Sequence, residues 1–110
     1  MDTVTARMRL EHMLAQLDRS IAILRRDALT GWDRSPADAG AVLTDADRSL
    51  AMLEAAGEQR RTVLAALRRL DEGVYGRCAD CGHAVPEGRL EARPEAARCV
   101  QCQSRRERRR

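Results

Sequence analysis

The sequence predicts a mainly α-helical chain, in which a long antiparallel helical hairpin (a coiled coil) precedes a small cysteine-bearing module and a short C-terminal helix. Three observations lead to this fold class. Residues 2–30 contain neither Gly nor Pro, whereas residues 31–40 contain two Gly and one Pro. All four cysteines lie within residues 78–102. We therefore expect an uninterrupted helix, a break, a second helix and a compact module.

The first predicted helix carries an apolar stripe at heptad spacing. Its members recur at spacings of 4, 3, 4, 3 and 4 residues: Leu10, Leu14, Leu17, Ile21, Leu24 and Ala28. This alternation is the a/d pattern of a coiled coil. The helix is predicted to end at Thr30 and Gly31, because Gly adopts the left-handed conformation of a helix C-terminus at little cost.

The second predicted helix follows a turn at residues 31–40, "GWDRSPADAG", where Gly and Pro oppose helical continuation. From Ala41 the apolar pattern resumes, and it ends near Gly73. Its members are Leu43, Ala46, Leu50, Leu53, Leu64, Leu67 and Leu70. Two long helices joined by a short turn are expected to lie antiparallel.

A turn centred near residue 35 predicts the register of this hairpin. Facing residues should then have numbers that sum to about 70, which sets Leu17 against Leu53 and Ile21 against Leu50. The predicted seam consists of Leu17, Ile21, Leu24, Leu50 and Leu53.

The cysteines form two C-x-x-C pairs, Cys78 with Cys81 and Cys99 with Cys102. Such pairs can form a metal site, a redox motif or two disulfides. The N-terminus lacks the order of a secretory signal, and no apolar run approaches the roughly 20 residues that span a bilayer. We therefore expect a cytoplasmic protein with reduced thiols. A thioredoxin-type pair needs a βαβ context, which is not visible.

Tetrahedral Zn²⁺ suits four thiolates in two short-spaced pairs, with an iron–sulfur cluster as the alternative. A full set of four protein ligands predicts one structural zinc per chain, because no position remains open for water. Metal binding would also stabilise a chain that has no Phe and only Trp32 and Tyr75 as large aromatic residues. His83 is expected to lie outside the ligand set.

The charge distribution is uneven, although the net charge is only +3. Residues 31–58 carry six acidic residues against two arginines, whereas the tail at 105–110 carries five arginines against Glu107. Such a tail is usually solvated, but it could touch phosphates or an acidic protein surface. Sequence-specific DNA recognition is not expected, because no aromatic residues are interleaved with the arginines.

Two stretches, "YGRCADCG" and "GRLEARPEAARCVQC", together with the hairpin before them, resemble the DksA/TraR family of C4 zinc-finger proteins. The resemblance implies a coiled-coil hairpin at 1–73 with its tip at 31–40, a C4 zinc finger at 74–104 and a basic tail at 105–110. It also implies bacterial RNA polymerase as the partner, with the tip inserted through the secondary channel. In the "RLEARP" stretch, Arg89 and Arg93 are candidate docking residues.

The family's D-x-x-D-x-A tip motif falls on "SPADAG" in this resemblance. Asp38 matches the second acid, Ser35 stands in place of the first acid, and Gly40 in place of the alanine. Trp32 and Asp33 adjoin the tip and are candidate contact residues. A competing alignment on "TDADRS" would place the acids inside the second helix, and Asp38 would then be an ordinary turn residue.

The expected function is a transcription regulator that binds RNA polymerase through an acidic hairpin tip and a zinc-stabilised base. The alternatives are a zinc-stabilised adaptor, or a non-specific nucleic-acid-binding protein that uses the arginine tail. An enzyme is not expected, since the sequence has no nucleophile–base arrangement, no phosphate-binding loop and no open metal position. We expect a monomer without membrane association.

Overall fold

Four helices make up the regular structure of the described residues in a computed structural model. The structure describes the backbone of residues 1–30 and 39–109, and the side chains of residues 1–28 and 45–109. In chain order the helices are α1 (Thr3–Thr30), α2 (Ala39–Asp71), α3 (Glu87–Ala92) and α4 (Val100–Arg108). The mainly helical fold class and the short C-terminal helix are thus confirmed. Among the described residues, none of these helices has the length and apolarity needed to cross a membrane.

The chain divides into two compact units, and each contains parts of α1 and α2. The first unit comprises Met1–Met13 and Thr62–Arg110, and the second comprises Leu14–Arg61. An ion pair joins the two helices within each unit. Arg7 pairs with Asp71 in the first, and Asp18 pairs with Arg60 in the second, both at 2.7 Å. These contacts confirm the antiparallel hairpin. The division at residues 73 and 104 stays a prediction.

The heptad stripe predicted for α1 is confirmed, because every one of its positions is buried or half-buried. Leu10 has no exposed surface. On α2, Val63 is equally inaccessible. The buried residues that the two helices contribute to the first unit are Ala6, Leu10, Val63, Ala66 and Leu70.

The predicted register of the hairpin is wrong. In both interhelical ion pairs the residue numbers sum to 78 rather than about 70. The prediction assumed that the turn lies symmetrically between the helices. The two ion pairs show instead that the helices are offset by about eight residues from that symmetric alignment. Leu17 is therefore not set against Leu53, nor Ile21 against Leu50.

Leu50 was predicted to lie in the seam, but its side chain is 57% exposed. A stripe of buried or half-buried positions runs along α2 at alternating spacings of 3 and 4 residues: Ala46, Ser49, Leu53, Ala56, Arg60, Val63, Leu67 and Leu70. Ser49 holds the stripe position, and Leu50 points about 100° away from it. The stripe also continues between Leu53 and Leu64, where the predicted apolar pattern has no member, because Ala56 and Arg60 occupy stripe positions and Arg60 reaches Asp18.

The stop signal predicted for α2 lies at the expected glycine, two residues after the last helical residue, Asp71. Gly73 has φ +75°, and its N–H donates to the carbonyl of Leu70 at 3.2 Å. The N–H of Val74 donates to the carbonyl of Arg69 at 3.0 Å, which completes a Schellman motif. At its other end α2 begins at Ala39, so the predicted turn at 31–40 is too long by two residues.

Candidate metal centre

The first cysteine pair lies in a tight turn that begins just after α2. The N–H of Cys78 donates to the carbonyl of His83 at 2.8 Å, and the N–H of Gly82 donates to the carbonyl of Cys78 at 3.0 Å. Gly82 has φ +76°, a left-handed conformation that side chains disfavour. An isolated antiparallel bridge between Arg77 and Ala84 closes the loop. The turn therefore presents both sulfurs of the pair on one side.

The second cysteine pair lies at the start of α4. Cys99 is the N-cap residue in extended conformation, and Cys102 lies in the first turns of the helix. The N–H of Ala79 donates to the carbonyl of Ala97 at 2.8 Å. This bond connects the segments that carry the two pairs.

All four sulfur atoms lie within 4.8 Å of one another. The Sγ atoms of Cys81 and Cys99 are 4.0 Å apart. A tetrahedral ion with Zn–S bonds of about 2.3 Å would separate its sulfurs by about 3.8 Å, so the cluster fits zinc closely. His83 is exposed and does not belong to the cluster.

The thiols of the cluster differ in their affinity for protons. Burial raises the pKa of Cys78, but hydrogen bonds from the backbone N–H groups of Cys81, Cys99 and Asp80 outweigh burial and lower it to about 6. The pKa of Cys102 is raised to about 12 by hydrogen bonding to Cys99, by burial and by the neighbouring sulfurs. Thiolates so close together repel each other, so a cation is required for all four to ionise.

A small core supports the metal site. It consists of Cys78, Val85, Leu90 and Cys102, with Met1, Tyr75 and Cys99 packed against it. The hydroxyl of Tyr75 donates to the carbonyl of Pro94 at 2.8 Å. Leu90 and Pro94 are both buried, so the "RLEARP" stretch builds the module from within.

The two arginines of that stretch have different surroundings. Arg89 is half-buried, and its Nε donates to the carbonyl of Arg98 at 2.9 Å. The side chain of Arg93 is exposed, and its backbone N–H ends α3 by donating to the carbonyl of Arg89. Arg89 therefore holds the loop before the second cysteine pair, and Arg93 faces solvent.

Four further charged residues surround the cysteines, and the sequence analysis missed them. Asp80, between the first two cysteines, pairs with Arg98 at 3.0 Å and with Arg106 at 3.9 Å. Arg105 donates to the Cys102 sulfur at 3.7 Å. The signal in the sequence was the placement of Asp80 inside one C-x-x-C pair and Arg98 directly before the other. The arginines of the tail up to Arg108 lie in α4, and their side chains are exposed.

The predicted tip residues Trp32, Asp33, Ser35 and Asp38 lie outside the described residues. Gly40 lies in the first turn of α2. The structure therefore brings together the four cysteines but does not test the tip.

Residues 73–108 match the family model of the prokaryotic dksA/traR C4-type zinc finger. This match and the four clustered sulfurs show a zinc finger with one structural zinc. The chain is 50% identical over 44 residues to the RNA polymerase-binding transcription factor DksA of Caulobacter vibrioides. The matched segment covers 40% of this chain and 31% of that protein.

Two other relatives match longer segments. General stress protein 16O of Bacillus subtilis is 35% identical over 74 residues, 67% of this chain and 45% of that protein. The RNA polymerase-binding transcription factor DksA of Haemophilus influenzae is 28% identical over 94 residues, 86% of this chain and 63% of that protein. The chain thus spans less than two thirds of the length of each of these curated relatives.

The fold is similar to a solved structure, the transcription factor DksA2 from Pseudomonas aeruginosa. The TM-score is 0.86 at 26% sequence identity, over 97% of this chain and 84% of that chain. The likeness therefore extends beyond the zinc finger to the helices before it.

Proposed function

Because the chain belongs to the DksA/TraR family of C4-type zinc-finger proteins, we propose that it is a transcription regulator that binds bacterial RNA polymerase. The observation that carries the proposal is the combination of a helical hairpin and a C4 zinc finger in one chain, which matches the solved DksA2 structure over 97% of its length. Two curated relatives are named as RNA polymerase-binding transcription factors, which supports the same assignment.

In this proposal the hairpin enters the secondary channel of the polymerase, with residues 31–40 nearest the active centre. Asp38 is the effector, and it acts on basic side chains or a metal ion through its charge. Ser35 and Gly40 replace two positions of the family motif, so the effect should be weaker than that of a tip with two acids. Trp32 and Asp33 contact the channel next to the effector.

The zinc finger is the rigid base of the same proposal. Its metal ligands are Cys78, Cys81, Cys99 and Cys102, which fill all four positions and leave the ion a structural role. Arg93 contacts the polymerase surface, since its side chain is exposed. Arg89 acts indirectly, by holding the carbonyl of Arg98.

The proposal assigns no catalytic activity to the chain. A monomer would act in the bacterial cytoplasm, where the polymerase works, without reading a DNA sequence itself. Regulation would follow from the charge at the tip, and binding from the sides and base of the hairpin.

The test is in vitro transcription beside a polymerase-binding assay with competing DNA. Asp38→Asn should alter regulation while polymerase affinity is largely retained. Glu54→Gln is the matched control, because it removes the same charge from an exposed position of α2 that lies outside both candidate tip alignments. If Asp38→Asn regulates like the unchanged protein, the tip is only a turn. If the protein fails to bind polymerase, or if DNA removes all binding, the adaptor or nucleic-acid alternatives replace the proposal.

A further inference from the structure

The charge of the zinc module depends on the metal site. Residues 73–109 contain eight arginines and five acidic residues, which gives +3 with neutral thiols. Four thiolates and one Zn²⁺ add a charge of −2. The net charge of residues 73–109 therefore falls from +3 to +1 when four thiolates bind one Zn²⁺. Two of the three excess positive charges thus balance the charge of the metal centre.

The contacts show which arginines face the metal centre. Arg105 follows Cys102 by three residues, which places both on the same face of α4. Its guanidinium donates to the Cys102 sulfur at 3.7 Å. A hydrogen bond from a cationic donor stabilises a thiolate more than a neutral donor would.

A second set of contacts connects the two halves of the site. Asp80 lies between Cys78 and Cys81, and its carboxylate pairs with Arg98 at 3.0 Å. The other oxygen of Asp80 faces Arg106 of α4 at 3.9 Å. The side chain of Arg98 is only 23% exposed, so solvent screens this pair less than it screens most surface pairs.

We propose that Arg105, Asp80, Arg98 and Arg106 form an arginine clamp that retains zinc. Arg105 stabilises the Cys102 thiolate, and the carboxylate of Asp80 fastens the segment of the second cysteine pair to the turn of the first. The clamp slows both the release of zinc and the attack of thiol reagents on the sulfurs. This role is independent of RNA polymerase, so its tests and those of the proposed function succeed or fail separately.

The clamp also gives a specific role to the basic C-terminal segment. Arg105 and Arg106 are engaged within the module, whereas the exposed side chain of Arg108 makes no hydrogen bond or ion pair within the described part of the chain. A surface for nucleic acid would need these arginines to be available to phosphates. The contacts of Arg105 and Arg106 therefore give this part of the segment a role that does not depend on phosphates.

The experiment measures zinc release from the full chain to a chromogenic chelator, together with the rate of cysteine alkylation. Each variant is first shown to contain one zinc and to have the helicity of the unchanged protein. Arg105→Ala and Asp80→Asn should each release zinc about 10-fold faster, the range typical of residues that support metal ligands. Arg108→Ala is the matched control, because it removes the same charge from the same helix, and its rate should be unchanged.

Two further measurements separate a direct contact from a general charge effect. Arg105→Lys keeps the charge and should restore part of the slow release. The difference between Arg105→Ala and Arg108→Ala should persist in high salt, where long-range charge effects are screened. Equal rates for Arg105→Ala and Arg108→Ala would overturn the proposal, as would an Asp80→Asn variant that releases zinc at the original rate. If Arg105→Ala takes up no zinc, the rate of the Asp80→Asn variant decides the outcome.

Discussion

The Oδ1 atom of Asp18 on α1 accepts a hydrogen bond of 2.7 Å from Nε of Arg60 on α2. Each side chain is about half exposed, at 51% and 41% respectively. An ion pair of this kind contributes roughly 0–1 kcal/mol to stability, so its main consequence is to favour one alignment of the helices.

Exchanging the two charges should test this alignment. Asp18→Arg and Arg60→Asp are each expected to lower the free energy of unfolding by up to about 1 kcal/mol, and the double variant should recover most of the loss. Urea unfolding of all four proteins measures the coupling. Arg61→Ala is the control, because Arg61 pairs with Glu58 on the same helix. Simple additivity of the two single changes would mean that this register does not hold in solution.

Leu10 and Leu50 provide a matched pair of leucines for testing the packing. Leu10 has no exposed surface, whereas Leu50 is 57% exposed. Leu10→Ala should therefore lower the free energy of unfolding by about 2–5 kcal/mol, since it removes buried methyl groups and leaves a cavity. Leu50→Ala should change it by less than about 0.5 kcal/mol. Thermal or urea unfolding followed by circular dichroism measures both, and a larger effect for Leu50 would restore the seam predicted from the sequence.

Loss of the metal should unfold the zinc module and spare much of the second unit. Elemental analysis of the purified protein should give about one zinc per chain. Cys99→Ser removes one ligand and should disorder residues 75–103, while most of the helix in residues 14–61 remains. His83→Ala is the control and should retain zinc, since His83 is exposed and outside the cluster. A metal-free protein with an intact module would contradict the structural role of zinc.

Tyr75 should make the module sensitive to high pH. Burial raises the pKa of Tyr75 above its usual value of 10.0, against a smaller lowering by the positive charge of Arg9. A raised pKa in the folded state means that folding favours the neutral phenol. Its contribution to stability is therefore complete below pH 10 and is lost as the pH rises through the folded-state pKa.

Absorbance of the phenolate near 295 nm measures this titration directly, because Tyr75 is the only tyrosine in the sequence. The midpoint should lie above 10.0 in the native protein and return toward 10.0 after unfolding in urea. Tyr75→Phe should remove both the signal and this part of the pH dependence of stability. A native midpoint at or below 10.0 would contradict the burial of the phenol.

The sequence by itself determined the features that depend on local spacing. The alternation of 3 and 4 residues from Leu10 to Ala28 predicted the buried face of α1, because any regular α-helix places those positions on one side. Gly73 predicted the end of α2, because a left-handed residue ends a helix wherever it lies. The two C-x-x-C pairs predicted the four-sulfur cluster, since each pair carries its own turn.

Only the tertiary structure decided how these local elements align. A heptad stripe looks the same after a shift of one repeat, so the sequence admitted the predicted register as readily as the observed one, in which Asp18 meets Arg60. The structure also decided that Leu50 is exposed and that the neighbouring Ser49 is half-buried. The contact of Arg105 with Cys102 and the pairing of Asp80 with Arg98 also depend on how α4 docks against the first cysteine turn. Spacing along the chain fixes which residues share a face, but packing and ion pairs between elements fix what that face meets.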